Sequence, residues 1–264
     1  MLSAYNQHQV LVVAWDVTKE QGPFFCPECL KPVILKKGAL AIHHFAHYPL
    51  SACAHGTGEG KEHRQAKQQI YEALRHHPDV TKLAMERPLG EVRPDISFCW
   101  KGKDYVALEI QISPISPDEI ARRTRTYTSK KIAVLWIVPY RREKMSILTP
   151  YRTSLAERYL HALSFGNVYY WSTGEHVLPM HFEALSTIVG VRWAYNEEEE
   201  RSSVQGIRQF SPVLRNLDPG EMVRITDLKQ VWRSAKQVGS FALPEARLWM
   251  LPHDETNPDQ RDEG

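Results

Sequence analysis

Apolar and polar residues recur with two different periods between about residues 57 and 187. Inward-facing positions first repeat every three or four residues, through His63, Lys67, Ile70 and Leu74, with Glu59 one turn before them. This spacing predicts one face of a helix. Three strand-like runs follow, then a second helix that begins at the cap sequence SPDE, and then the buried strand IAVLWIV. The pattern predicts an α/β fold with the order helix, three strands, helix, strand.

Two of these strands form the hairpin RPDISFCWKGKDYVALEIQIS, residues 93–113. Alternation predicts one buried apolar face, with Ile96, Phe98 and Trp100 opposite Ile110, Leu108 and Val106 respectively, or opposite residues shifted by two. This pairing requires a bulge or an odd-length loop near Gly102. The other face of both strands then carries three polar residues: Asp95, Glu109 and Gln111.

Two carboxylates on one face of a hairpin repel each other unless a cation or a proton lies between them. Mg²⁺ and Mn²⁺ prefer oxygen ligands, and a bound ion can activate water at a phosphate. We therefore expect Asp95 and Glu109, with Glu59 or Glu62 from the first helix, to hold Mg²⁺ or Mn²⁺. The alternative is a solvated sheet face with no ion.

The first 56 residues contain a second candidate site, in the motifs CPEC and HHFAH. Two thiolates and two imidazoles complete a tetrahedral zinc shell, which leaves no open position for catalysis. We expect a structural zinc, and its predicted ligands are Cys26, Cys29, His44 and His47. The fourth ligand is the least determined, since His43, Cys53 and His55 are nearby. The alternative is a redox pair of Cys26 and Cys29, but that motif belongs at a strand-to-helix junction, which this segment lacks.

Composition and charge indicate the class of protein but do not predict its activity. The net charge of +2 does not by itself predict a nucleic-acid partner, although basic residues cluster on and after the second helix. Four cysteines, no apolar run that would span a bilayer and no signal peptide favour a cytoplasmic protein. Three blocks are predicted: residues 1–56, residues 57–187, and an extension at 188–264 with a disordered acidic end.

Several of these segments together resemble the CoiA-like competence protein family: FFCPECLKPVILKKG with HHFAH, GEGKEHRQAK, RPDISF with VALEIQIS, and ARRTRTY before IAVLWIVP. The resemblance implies a zinc-finger-like N-terminal module and a restriction-endonuclease-like nuclease domain of the PD-(D/E)xK class. It also implies that Asp95, Glu109 and Glu59 are the acidic residues of the site, with His63 one turn after Glu59. Gln111 stands where many such nucleases have lysine. A neutral amide can position water but cannot supply a charge.

The resulting hypothesis is a metal-dependent deoxyribonuclease that processes DNA in competence or recombination, in which Gln111 positions water and His63 orients Glu59 or a phosphate. We expect sequence-independent contacts with DNA phosphates, and recombination or DNA-uptake proteins as further partners. Lys67, Arg93 or Arg123 would supply the missing cation. A second hypothesis is a DNA-binding partner protein that has kept the fold without hydrolysis. The residues predicted to contact DNA are Lys67, Arg122, Arg123, Lys130 and Lys131.

Overall fold

The computed structural model describes residues 1–38, 42–49, 53, 59–196 and 201–252. The predicted acidic end at 253–264 and the alternative zinc ligand His55 lie outside this part of the chain. Within it, no helix has the length and apolar character needed to cross a bilayer.

A small antiparallel sheet forms the N-terminal module, with the strand order β2-β1-β3-β4-β5. The module also packs against the rest of the chain: Leu2 and Val13 belong to the main hydrophobic core. The indole nitrogen of Trp15 donates a hydrogen bond to Glu72 Oε1 at 2.5 Å. The strands are β1 (Ser3–Tyr5), β2 (Leu11–Val13), β3 (Phe24–Phe25), β4 (Pro32–Lys36) and β5 (His44–His47), with a 3-10 turn at Lys19–Gln21.

The predicted order of helix, three strands, helix and strand is observed. β6, β7 and β8 are antiparallel neighbours, and β9 joins β8 in parallel. The second helix begins as its sequence predicts, because the Ser116 hydroxyl accepts a hydrogen bond from the Glu119 amide at 3.2 Å. The elements are α1 (Lys61–Leu74), β6 (Val80–Met85), β7 (Ile96–Trp100), β8 (Asp104–Ile110), α2 (Pro117–Ser129) and β9 (Ile132–Pro139).

The hairpin adopts the shifted one of the two expected registers. Ile96 pairs with Leu108, Phe98 with Val106, and Trp100 with Asp104. The three-residue loop includes Gly102 at φ +69°, a backbone conformation that glycine adopts without strain. The predicted odd-length loop is therefore confirmed.

The C-terminal part of the chain continues the main sheet, which has 11 strands in the described residues. The boundary predicted at 187 falls inside one long strand, and the last strand pairs with β9. The described residues of the predicted extension, 188–196 and 201–250, therefore include strands that pair with the central sheet. The elements are β10 (Tyr151–Arg152), α3 (Leu155–Leu163), β11 (Val168–Thr173), β12 (His176–Asn196), β13 (Arg201–Pro219), β14 (Val223–Arg224), a 3-10 turn (Ile225–Asp227), β15 (Lys229–Arg233), β16 (Lys236–Val238), β17 (Phe241–Leu243) and β18 (Ala246–Met250).

Candidate active site and metal centre

Three carboxylates lie side by side where β6, β7 and β8 meet. The Glu86 amide donates to the Asp95 carbonyl at 3.0 Å, which continues the pairing of β6 with β7 by one residue. The register of the hairpin, continued by one residue, likewise places Asp95 opposite Glu109. Directly opposed residues have Cβ atoms about 4.5–5.5 Å apart. The predicted proximity of Asp95 and Glu109 is therefore present, and Glu86 extends the row.

Lys67 extends from α1 to this row and is only 2% exposed. Its Nζ lies 2.5 Å from Glu86 Oε1 and 3.5 Å from Asp95 Oδ1, and it also contacts Glu59. Burial opposes the charge of Lys67, but the three carboxylates outweigh burial and raise its pKa well above the usual range. Lys67 is therefore a fully charged, buried member of the site. Lys67, which the sequence predicts to contact DNA phosphates, instead contacts carboxylates that enclose its ammonium group.

His63 connects Glu59 to Asp95. Its Nδ1 lies 3.4 Å from Glu59 Oε1, and its Nε2 lies 3.1 Å from Asp95 Oδ2. The same Asp95 oxygen accepts a hydrogen bond from the Ile110 amide at 2.8 Å. Burial acts to raise the pKa of Asp95, but Lys67, His63 and the Ile110 amide together hold it below its usual value. Asp95 is therefore ionised at neutral pH.

Glu109 is held from the other side by α2. Its Oε1 accepts hydrogen bonds from Arg123 and from the Tyr127 hydroxyl, and the side chain is only 3% exposed. Burial raises the pKa of Glu109 to about 8; the charge of Asp95 adds to this effect, and Arg123 and Tyr127 oppose it. The pKa values of these two neighbouring carboxyl groups are thus shifted in opposite directions.

The predicted acidic residues gather in one region but do not form a closed ligand set. Among the residues that the structure describes, the carboxylate oxygens of Asp95, Glu109 and Glu59 do not all lie within 4.8 Å of one another. Glu59 pairs with Lys67, and Glu109 is bound by Arg123. Two carboxylates with water and phosphate oxygens can suffice for Mg²⁺. The oxygen donors therefore suit a hard cation at Asp95 and Glu109, without Glu59 as a required ligand.

Sequence reasoning missed Glu86 and assigned Gln111 a different environment. Glu86 Oε2 accepts hydrogen bonds from the Leu2 and Ser3 amides at 2.9 and 3.2 Å, so the N-terminal segment also supports the site. The only sequence signal for Glu86 is an acidic residue at the end of an apolar strand. The side-chain amide of Gln111 donates to the Ser113 carbonyl, and Gln111 lines a neighbouring cavity.

A second cluster lies in the N-terminal module. One ligand atom from each of Cys26, Cys29, His47 and Cys53 lies within 4.8 Å of the others, and Cys29 Sγ is 3.4 Å from His47 Nε2. His44 is not in this cluster, and its Nδ1 pairs with the Ile42 carbonyl at 2.9 Å. His44 and His47 are three apart in β5, and residues three apart in a strand point to opposite faces. The predicted ligand His44 is therefore replaced by the alternative Cys53.

This donor set could hold a metal ion and is consistent with zinc, which binds three thiolates and one imidazole in many structural sites. Burial raises the pKa of the Cys26 thiol to about 11. The positions of His47 and Cys53 beside the two thiols suit a metal cluster better than an isolated redox pair. The Glu28 amide also donates to Cys26 Sγ at 3.4 Å, as expected for a sulfur held in a ligand loop.

A polar cleft of about 730 Å³ separates this cluster from α2. Cys29 and Cys53 lie on one wall, and Arg93, Arg122 and Arg123 line it as well. Arg93 forms an ion pair with Glu28 at 3.0 Å across the two modules. Of the residues predicted to contact DNA, Arg122 is exposed but paired with Glu119, Arg123 is turned towards Glu109, and Lys130 and Lys131 are exposed.

Comparison with known proteins finds family matches for two segments of the chain. Residues 59–185 match the family described as "Competence protein CoiA, nuclease-like domain", and residues 9–56 match "Competence protein CoiA, N-terminal domain". The chain is 30% identical to the Competence protein CoiA of Bacillus subtilis (strain 168) over 132 residues, which is 50% of this chain and 35% of that protein. No solved structure matches. The chain therefore belongs to the CoiA competence protein family.

Proposed function

We propose that this protein is a divalent-metal-dependent deoxyribonuclease that processes DNA during competence or recombination. The observation that carries this proposal is the juxtaposition of Asp95 with Glu109 on adjacent strand ends, beside the buried ammonium of Lys67. The nuclease-like character of the matched family supports it. We also propose a restriction-endonuclease-like fold for α1 to β9, because these elements occur in the order expected for that class. This fold likewise supports the proposed activity.

In this proposal Asp95 and Glu109 hold Mg²⁺ or Mn²⁺. A divalent cation bound there would activate water and offset charge on the phosphate during displacement. Asp95 is already ionised, and its orientation is fixed by His63 and the Ile110 amide. A divalent cation bound at Glu109 would favour its ionised form, as Arg123 already does. Arg123 would then be free to contact a phosphate oxygen.

Lys67 supplies the positive charge that Gln111 lacks. It extends from the helix, whereas the lysine expected for this nuclease class lies on the strand, and its Nζ is 3.5 Å from Asp95. A fixed ammonium near the developing charge stabilises it without reorganisation. Glu59 and Glu86 position this ammonium through their ion pairs. We therefore assign Lys67 to the chemistry and not to the DNA-facing rim.

The cleft beside α2 is the proposed path of the DNA backbone. Arg93, Arg122 and Arg123 line it, and Arg123 connects it to Glu109. Guanidinium groups bind phosphates without reading sequence. A zinc ion at the cysteine–histidine cluster would fix the opposite wall, which makes its role structural. Recombination or DNA-uptake proteins are proposed as partners.

Metal-dependent cleavage by purified protein tests the proposal. Labelled single- and double-stranded DNA is incubated with Mg²⁺ or Mn²⁺ and wild type, Asp95→Asn or Glu109→Gln. Asp104→Asn, at the opposite end of β8, is the matched control. We expect both site variants to lose at least about 100-fold in rate and the control to keep it. Cleavage that survives both site variants would refute the proposed site.

The second candidate is a DNA-binding partner protein without hydrolysis. One observation favours it: the carboxylates already have internal partners, Lys67 for Asp95 and Arg123 for Glu109. Such pairs compete with a cation for the same oxygens. DNA binding by wild type with no cleavage in either metal would establish this candidate in place of the first.

A further inference from the structure

A second cavity, of about 420 Å³, lies beyond the ends of β8 and β9. Its walls are largely apolar, and Ile112, Val138, Leu155 and Leu160 contribute to them. The buried ring of Tyr170 also lines it. A volume of this size lies in the range of pockets that enclose small organic groups. The cavity thus has room for a flat, mainly apolar group.

The polar side chains that line the cavity include Gln111, Arg141, Lys144 and Glu157. The side-chain amide of Gln111 offers both a donor and an acceptor. Arg141 and Lys144 supply positive charge. The buried carboxylate of Glu157 accepts from Tyr151, Tyr170 and the Ser154 amide at 2.7–2.9 Å, so its charge is compensated within the protein. The charged groups that remain to contact a ligand are therefore the basic side chains of Arg141 and Lys144.

Two chain segments join the lining of the cavity to the candidate active site. Gln111 follows Glu109 by two residues, roughly 7 Å along the chain, and its backbone N–H donates to the Ile137 carbonyl at 2.7 Å. On the helix side, Arg141 pairs at 3.2 Å with Glu62, the residue before His63. The residues lining the cavity are therefore joined to β8 through the chain and to α1 through an ion pair, and both elements carry residues of the carboxylate site.

We propose that this cavity binds the base of an unpaired nucleotide next to the phosphate held at Asp95 and Glu109, an inference that rests on the proposed function. Apolar walls and a tyrosine ring suit the faces of a base, Gln111 suits its polar edge, and Arg141 and Lys144 suit the adjoining phosphate. Such a base must leave its stack and its pair to enter. The pocket therefore selects single strands, frayed ends or flaps over intact duplex.

Binding measured without divalent cations tests the pocket independently of hydrolysis. The probes are a short fluorescent single strand, a strand of equal length in which every nucleotide is abasic, and the matching duplex. The proteins are wild type, Leu155→Trp, which fills the cavity from the first turn of α3, and Leu148→Trp. Leu148 is 87% exposed and does not line the cavity, so it is the matched control. Melting temperatures confirm that each variant is folded.

We expect wild type and Leu148→Trp to bind the abasic strand about tenfold more weakly than the intact strand. Leu155→Trp should bind both strands equally and no longer prefer single strand over duplex. Equal affinity of wild type for the two strands, or an undiminished preference in Leu155→Trp, would overturn the pocket. If the preference is present but no cleavage occurs with Mg²⁺ or Mn²⁺, the pocket is supported and only the nuclease proposal fails.

Discussion

Replacing Lys67 by methionine removes the ammonium that contacts Glu59, Glu86 and Asp95 and keeps most of the apolar volume of the side chain. Lys67 is 2% exposed, so water cannot take its place without rearrangement of the site. The substitution therefore isolates the effect of charge on the free energy of unfolding.

The expected loss of stability follows from the burial of these partners. Removing one member of a buried ion pair costs about 3–5 kcal/mol, because the remaining charge has no compensation. At the usual few degrees per kcal/mol, the melting temperature should fall by on the order of 10 °C. The loss is also pH-dependent. Without Lys67 the carboxylates take up protons more readily in the folded protein, so the deficit should shrink as pH falls from 8 to about 5.

Urea unfolding followed by circular dichroism at several pH values measures both effects. Lys61→Met, an exposed lysine in the first turn of the same helix, is the matched control and should change stability by less than about 0.5 kcal/mol. A deficit below about 1 kcal/mol for Lys67→Met would show that its ion pairs are not formed in the folded protein. A large deficit that stays constant with pH would mean that packing, and not charge, stabilises the site.

Further predictions concern the carboxylate, the metal cluster and the cleft. Glu109 has a folded pKa of about 8, so the folded state binds more protons than the unfolded state between about pH 4.3 and 8. The contribution of Glu109 to stability should therefore fall with rising pH in that window, and Glu109→Gln should make the pH slope of the free energy of unfolding less negative by up to about 1.4 kcal/mol per pH unit; identical slopes for wild type and variant in urea unfolding would contradict the assignment. Cys53→Ser should lose bound zinc and His44→Ala should retain it in elemental analysis, whereas the reverse result would restore His44 as the ligand. Arg122→Ala should weaken DNA binding similarly for all sequences and reduce the salt slope by about 1, and an unchanged slope would exclude a phosphate contact.

Local periodicity was sufficient for the elements that carry the site. The alternation of Ile96, Phe98 and Trp100 predicted a shared face for Asp95 and Glu109, because a slip of one residue would turn every apolar side chain of the strand to the other face. The loop at Gly102 followed from the same requirement. Even the inward stripe of α1 indicated that Lys67 is buried, although its charge suggested DNA contact instead.

The features that sequence reasoning missed depend on contacts between distant segments. Glu86 joins the site only because β6 pairs with β7 and α1 brings Lys67 above them. Nothing in the local sequence indicates that β18 pairs with β9. The sequence therefore predicts the C-terminal strands as an extension. His44 is a different case: its spacing from His47 fits a metal motif in a turn or a helix, but both residues lie in one strand.

Binding of Mn²⁺ to zinc-loaded protein, measured by electron paramagnetic resonance, tests the central claim most directly. Wild type and Asp104→Asn should bind Mn²⁺ with similar affinity. Asp95→Asn and Glu109→Gln should each lose at least about tenfold, because one of the two carboxylate ligands is gone. Equal binding by all four proteins, or none by wild type, would contradict a divalent-cation site at these strand ends.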